Sequence, residues 1–321
     1  MSSPDEASCA KAFGPGHSAY TLVPLRLAEG ESQDAVLAQY LKGHSIFINN
    51  SAGSTVRNWC PLGLYMVMFP FQDAGAFLSS YHHFLCNSEF TAFHTRHRWG
   101  RDLNISVLYP CAEFPSEVSR PPTERTQEIV TVGRFNVHGH NKNQALLVET
   151  FKRTLPLMPP GWQLTVMGRV NAGAETQDYV ARMVEGCRGL PVRFEFDASE
   201  LVKQQVLARA ALYWSGTGIG CAEPAEASRM EHFGISIVEA MAAGAIPLAY
   251  ASGGPPEIIE QGVSGFLYRD VEQLTTYSAL LTVKHALRLQ MHEASLRRSA
   301  AFSRTRFDAD VARFFESVVV A

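Results

Sequence analysis

Glu231-His232-Phe233-Gly234-Ile235-Ser236-Ile237-Val238-Glu239-Ala240-Met241-Ala242-Ala243-Gly244 is the stretch around which the chain is organised. It offers a carboxylate, a turn at Gly234, an apolar helix carrying a second carboxylate, and a glycine stop. The nearly continuous apolar residues from Phe233 onward predict a buried helix. Gly244 stands where a left-handed C-terminal stop is expected, and Ile246-Pro247-Leu248-Ala249-Tyr250 then reads as a buried strand. A lone carboxylate on a buried helix is costly, so Glu239 needs a partner. Two readings follow. In one, hydroxyls of a ligand pair with Glu239, and the free amides from Phe233 to Ser236 hold an anion such as phosphate. In the other, Glu231 caps the helix and Glu239 pairs with a buried arginine. Glu231 and Glu239 are on the order of 10 Å apart along a helix, comparable to the reach of a diphosphate with a sugar at each end. On the first reading one carboxylate holds a sugar and the other a ribose.

The Glu-(seven residues)-Glu run is followed by Ala240-Met241-Ala242-Ala243-Gly244 and then by Ser252-Gly253-Gly254-Pro255-Pro256-Glu257-Ile258-Ile259. Together these resemble the donor-site signature of retaining glycosyltransferases of family 4. The His232-Phe233-Gly234 spelling is similar to mannosyltransferases that extend lipid-linked oligosaccharides, and to bacterial relatives. The resemblance extends over residues 36–315 and is densest over 125–270. It implies an α/β chain of GT-B fold, with two Rossmann-like parallel-sheet domains facing a cleft.

Composition sets wide bounds. The chain has 321 residues, 46% hydrophobic and 18% charged, which suits globular α/β domains with ample core. The net charge of −3 supplies no basic field for nucleic acid. No apolar run approaches a membrane span and the N-terminus is unlike a signal peptide, so a cytoplasmic protein, free or peripheral to a membrane, is expected. The six cysteines are scattered without metal-ligand spacing and read as free thiols. The histidines, including His82, His83, His94 and His97, likewise show no metal spacing. No metal and no cofactor are expected.

Residues 1–30 read as a poorly ordered lead-in, with a short strand at Tyr20–Leu25. Residues 31–118 read as an acceptor-side Rossmann-like domain: a short helix at 34–42, strands at Ser45–Asn50, Gly63–Phe69, Phe84–Cys86 and Ile105–Pro110, and a helix capped by Asn87 or Ser88. The glycine-rich opening of a GT-B chain has no match, so this domain is expected to be truncated, and a partner chain completing it is a candidate partner. Pro115–Arg125 reads as a linker. Residues 125–305 read as the nucleotide-sugar-binding domain, with strands at Glu128–Val132, Leu164–Gly168, Val192–Phe196 and Ala211–Trp214 alternating with helices. C-terminal helices are expected near 271–294 and 308–319, and 306–321 is expected to pack back on the N-terminal domain.

Gly133-Arg134 after a strand and Lys142 before a helix make an anion cradle, although surface loops often carry such residues. The resemblance gives them a role: Arg134 and Lys142 match the positions that hold the donor diphosphate. It implies a retaining hexosyltransferase in which Glu231 orients the donor sugar and Glu239 fixes the ribose. Arg134, Lys142 and the amides of Phe233, Gly234, Ile235 and Ser236 stabilise the departing diphosphate without a metal. Gly253 and Gly254 offer bare amides to phosphate or sugar, and Glu257 reads as a first-turn charge of its own helix. Two departures stand out: Met68, before Phe69-Pro70, occupies a position where many relatives carry a histidine, and Ser215 stands where relatives with the His-Phe-Gly spelling often have one. The co-substrate is a nucleotide sugar. The acceptor is a glycan, a lipid-linked sugar or a small molecule. The alternative is a subunit that binds a nucleotide sugar and needs a partner for turnover.

Overall fold

The computed structural model describes residues 32–114, 121–137, 139–222 and 224–319. The lead-in with its strand at Tyr20–Leu25, the first part of the linker, and His138 lie outside the described residues. Helix α1 (Gln33–Tyr40) opens the described chain, followed by β1 (Ile46–Asn49), β2 (Leu62–Val67) and β3 (His83–Cys86). Next come α2 (Glu89–Trp99) and β4 (Ile105–Val107). These strands form a four-stranded sheet in the order β1-β2-β3-β4, every pair parallel. Tyr65, Val67, Phe84 and Cys86 face one side, against Phe77, Tyr81 and Trp99. Ser88 caps α2, its hydroxyl accepting from the Thr91 amide.

The second half alternates more regularly. It runs β5 (Thr126–Val132), α3 (Gln144–Thr154), β6 (Gln163–Gly168), α4 (Ala174–Glu185), β7 (Val192–Phe196), α5 (Glu200–Arg209) and β8 (Ala210–Ser215). Then follow α6 (Ile235–Ala242), β9 (Ile246–Tyr250), α7 (Pro255–Ile258), β10 (Phe266–Tyr268), α8 (Val271–Val283), α9 (His285–Ser299) and α10 (Arg304–Val319). The sheet order is β10-β9-β8-β5-β6-β7, all parallel. Successive strand residues point to opposite faces, and both faces are covered. Ile129, Leu164, Leu212, Trp214 and Leu248 pack with Leu147 and Phe151 of α3 and Leu274 of α8. Val130, Met167, Tyr213 and Ala249 pack with Leu207 of α5 and Ile237 and Met241 of α6. Burial on two sides is why these strands read as apolar runs rather than alternating ones.

Two expectations change. The helix expected over 271–294 is two helices, broken at Lys284, whose φ −88°, ψ 80° backbone is not helical. Arg288 makes the break affordable: its guanidinium donates to the Leu281 and Thr282 carbonyls at 2.6 and 3.2 Å, which the end of α8 leaves open. Glu257 does not chiefly serve its own short helix. Its carboxylate accepts from the Glu89 and Phe90 amides, both at 2.8 Å, and so caps α2 of the other sheet. The Tyr109 hydroxyl donates to the same carboxylate at 2.9 Å. A second link between the halves is Ser88 Oγ, which donates to the His232 carbonyl at 2.6 Å. Helix α10 returns to the first sheet, where Phe314 meets His83 edge to face at 5.4 Å.

Candidate functional site

In the six-stranded sheet the strand order reverses at β5, with β6 and β7 to one side and β8 to the other. Open parallel sheets bind ligands at such a point, beyond the C-terminal strand ends. A cleft of about 770 Å³ lies there. Val132, Gly133 and Arg134 line it from the end of β5, and Met167, Gly168 and Arg169 from the end of β6. Asp197, Ala198, Glu200 and Lys203 enter from β7 and α5, and Glu231, Ile235 and Ser236 from the start of α6. His140 and Lys142 come from the loop after β5.

Glu231 is only 8% exposed. It accepts from Lys142 Nζ at 2.6 Å and from Thr217. Burial pushes its carboxyl up, but Lys142, His140 and the Thr217 hydroxyl outweigh that and hold it below the ordinary range. Gly133 makes room for this pair: a Cβ there would fall 2.6 Å from Lys142 Cγ. Gly234, at φ +113°, turns the chain into α6. Ile235 and Ser236 then lie at the helix tip, and the Ser236 hydroxyl accepts from the Tyr213 hydroxyl at 2.8 Å.

Glu239 has a lysine, not a buried arginine: Lys203 Nζ lies 2.9 Å from its carboxylate and 3.0 Å from that of Glu200. Burial draws the Lys203 ammonium down, but Glu239 and Glu200 prevail and hold it above its ordinary value. Glu239 thus meets the cleft through Lys203, which lines it.

Like Glu239 and Gly234, the sequence-named Phe233, Gly253 and Gly254 stand behind the cleft rather than in its lining. Phe233 is 4% exposed, its ring packed on Tyr109 and Phe302. Gly254 spends its amide on the Glu231 carbonyl at 2.7 Å. Gly253, at φ +76°, lies where a Cβ would fall 2.1 Å from that same oxygen. These glycines let the loop close under the Glu231–Phe233 backbone.

Lys203, His140, Arg169 and Asp197 were not singled out from the sequence. For Lys203 a signal existed: it lies in the first turn of the helix after β7, and such turns face the cleft in this topology. His232 was hidden between better-known neighbours. Its ring stacks on Phe69 at 4.3 Å, and burial, with His140 next in weight, lowers its pKa to about 3. Among the described residues no group of three or more His, Cys, Asp or Glu could hold a metal ion.

The family model for group 1 glycosyl transferases matches residues 126–281, the cleft-bearing half. The chain is 27% identical over 240 residues to the human GDP-Man:Man(3)GlcNAc(2)-PP-Dol alpha-1,2-mannosyltransferase, covering 70% of this chain and 46% of that protein. The Xenopus tropicalis protein of the same name is 28% identical over 247 residues, with 70% and 46% covered. The chain therefore spans less than half the length of these curated relatives. Among solved structures, Anabaena HepE in complex with UDP-glucose superposes with a TM-score of 0.67 at 18% identity, covering 88% of this chain and 81% of that one. A glycosyltransferase from Rickettsia africae gives 0.67 at 13% identity, with 92% and 84% covered. The fold is GT-B, with two parallel sheets as expected. The matched stretch holds the larger sheet, and Arg134, Lys142, Glu231 and the tip of α6 meet at its open end.

Proposed function

We propose that the protein is a retaining glycosyltransferase that moves a hexose from a nucleoside-diphosphate sugar to an acceptor hydroxyl. One observation carries this: Glu231, just before α6, and Glu239, in its second turn, each hold a lysine that lines the same cleft. Arg134 and Lys142, with the amides of Gly234, Ile235 and Ser236, take the diphosphate. Glu231 orients the sugar, and Glu239 with Lys203 takes the ribose. As the anomeric carbon–oxygen bond breaks, charge grows on the leaving phosphate, and fixed cations and amides in a partly dry cleft stabilise it. The acceptor oxygen attacks from the same face and passes its proton to the departing phosphate.

The names of the mannosyltransferase relatives support GDP-mannose as donor and a lipid-linked glycan as acceptor. They also support work at a membrane surface; no helix among the described residues is long and apolar enough to cross one. We read 31–118 as the acceptor side, 125–305 as the donor side and 306–321 as a returning helix. Calorimetry with GDP, UDP and ADP and their hexoses tests the reading. GDP and GDP-mannose should bind, and Glu239→Ala should weaken both; unchanged affinity in that variant removes the ribose role.

A second reading is a subunit that binds the nucleotide sugar and turns over only with a partner chain. It is favoured by the outer strand β1, where Ile46 and Ile48 are 41% and 51% exposed, since parallel sheets are ordinarily covered on both faces. Donor binding without transfer, restored by a second protein, would decide for it.

A further inference from the structure

His140 has no part in the scheme above, yet its ring lines the cleft beside Glu231 and Lys142. One face lies on His232, with centroids 4.9 Å and planes 5° apart, and His232 lies in turn on Phe69 of the other half. Nε2 of His140 is 2.6 Å from the Met230 carbonyl oxygen. A carbonyl can only accept, so this nitrogen carries the proton. Burial and Lys142, joined by Arg134, disfavour the imidazolium against the opposing pull of Glu231 and the Met230 carbonyl. The neutral ring keeps a bare lone pair on Nδ1, and Nδ1 has no hydrogen-bond partner among the described residues.

A bare lone pair repels phosphate oxygens, which bring no proton at neutral pH. It suits a hydroxyl. The ribose end of the cleft is marked by Glu239 and Lys203, whereas His140 stands with Glu231. The ring is already fixed on one face and at Nε2, so accepting a hydrogen bond costs little ordering. We propose that His140 is a specificity-determining residue whose Nδ1 accepts a hydrogen bond from a hydroxyl of the donor sugar. This rests on the donor reading above and adds a sugar contact to it.

The test is calorimetry with GDP and with GDP-mannose on the unaltered protein, His140→Phe and His140→Asn, with donor KM and kcat measured alongside. Phe keeps the ring that stacks on His232 and removes both nitrogens. Asn restores an acceptor near the place of Nδ1. In His140→Phe, GDP affinity should stay within about twofold, GDP-mannose affinity should fall about tenfold, and KM should rise accordingly. His140→Asn should recover part of the loss. An unchanged difference between GDP and GDP-mannose in His140→Phe overturns the proposal. Equal loss of GDP and GDP-mannose binding also overturns it, because the residue would then merely hold the loop. Should the unaltered protein bind neither compound, the donor reading itself fails, a result distinct from both.

Discussion

Glu239 shows how far a single residue could be read. That it needed a partner followed from the cost of burying a carboxylate, but the identity of that partner depended on β7 delivering α5 beside α6. A ribose held by Glu239 exchanges protein–lysine contact for charge-assisted hydrogen bonds, so Glu239→Ala should raise the GDP dissociation constant roughly ten- to a hundredfold, read by calorimetry. Arg134, Lys142 and Glu231 were legible because each stands beside a strand end or helix start. His140 was not, since nothing in a loop of mixed polarity says which ring will face the cleft. His232 gives a second expectation at this scale. Its folded pKa of about 3 lies below the ordinary 6.5, so from pH 6.5 downward the unfolded chain binds the extra proton and the folded one does not. The His232 contribution to stability is therefore whole above pH 6.5 and wanes as the pH falls toward 3. His232→Phe should flatten that part of the urea-midpoint profile between pH 7 and 4 relative to the unaltered protein.

Among elements, the link most open to test is Glu257 at the tip of α2. Two amide bonds to one carboxylate act as a cap borrowed from another sheet. Glu257→Ala should cost about 1–2 kcal/mol in denaturant unfolding, with faster hydrogen exchange at the Glu89 and Phe90 amides. The glycine loop after β9 is stiffer. Gly253→Ala forces a Cβ onto the Glu231 carbonyl and should cost about 2 kcal/mol or more, lowering the melting temperature and nucleotide affinity together. Most elements were legible because β5, β6, β8 and β9 are buried on both faces, and because helices such as α2 and α5 open on side-chain caps, Ser88 and Ser199. The break at Lys284 was not, since it depends on Arg288 reaching back to carbonyls seven and six residues earlier.

At the scale of the molecule, the contacts that join the two parallel sheets include the Ser88 and Glu257 hydrogen bonds, the Phe69–His232 stack, Tyr109 packed on Phe233 and Phe302, and the return of α10. The alternation of strands and helices announced two such layers, but which side chains join them could not be seen, because the joining pairs lie far apart in the chain. Removing both hydrogen-bonded links in Ser88→Ala with Glu257→Ala should enlarge the radius of gyration in solution scattering, and GDP-mannose should shrink it again. The position of one link has its own outcome. Ser88 grips the peptide that follows His232, so parting the halves pulls on the backbone one residue beyond the acid that holds Lys142. A strain applied between the sheets would therefore reach the cleft lining through one hydrogen bond, without passing through either hydrophobic core.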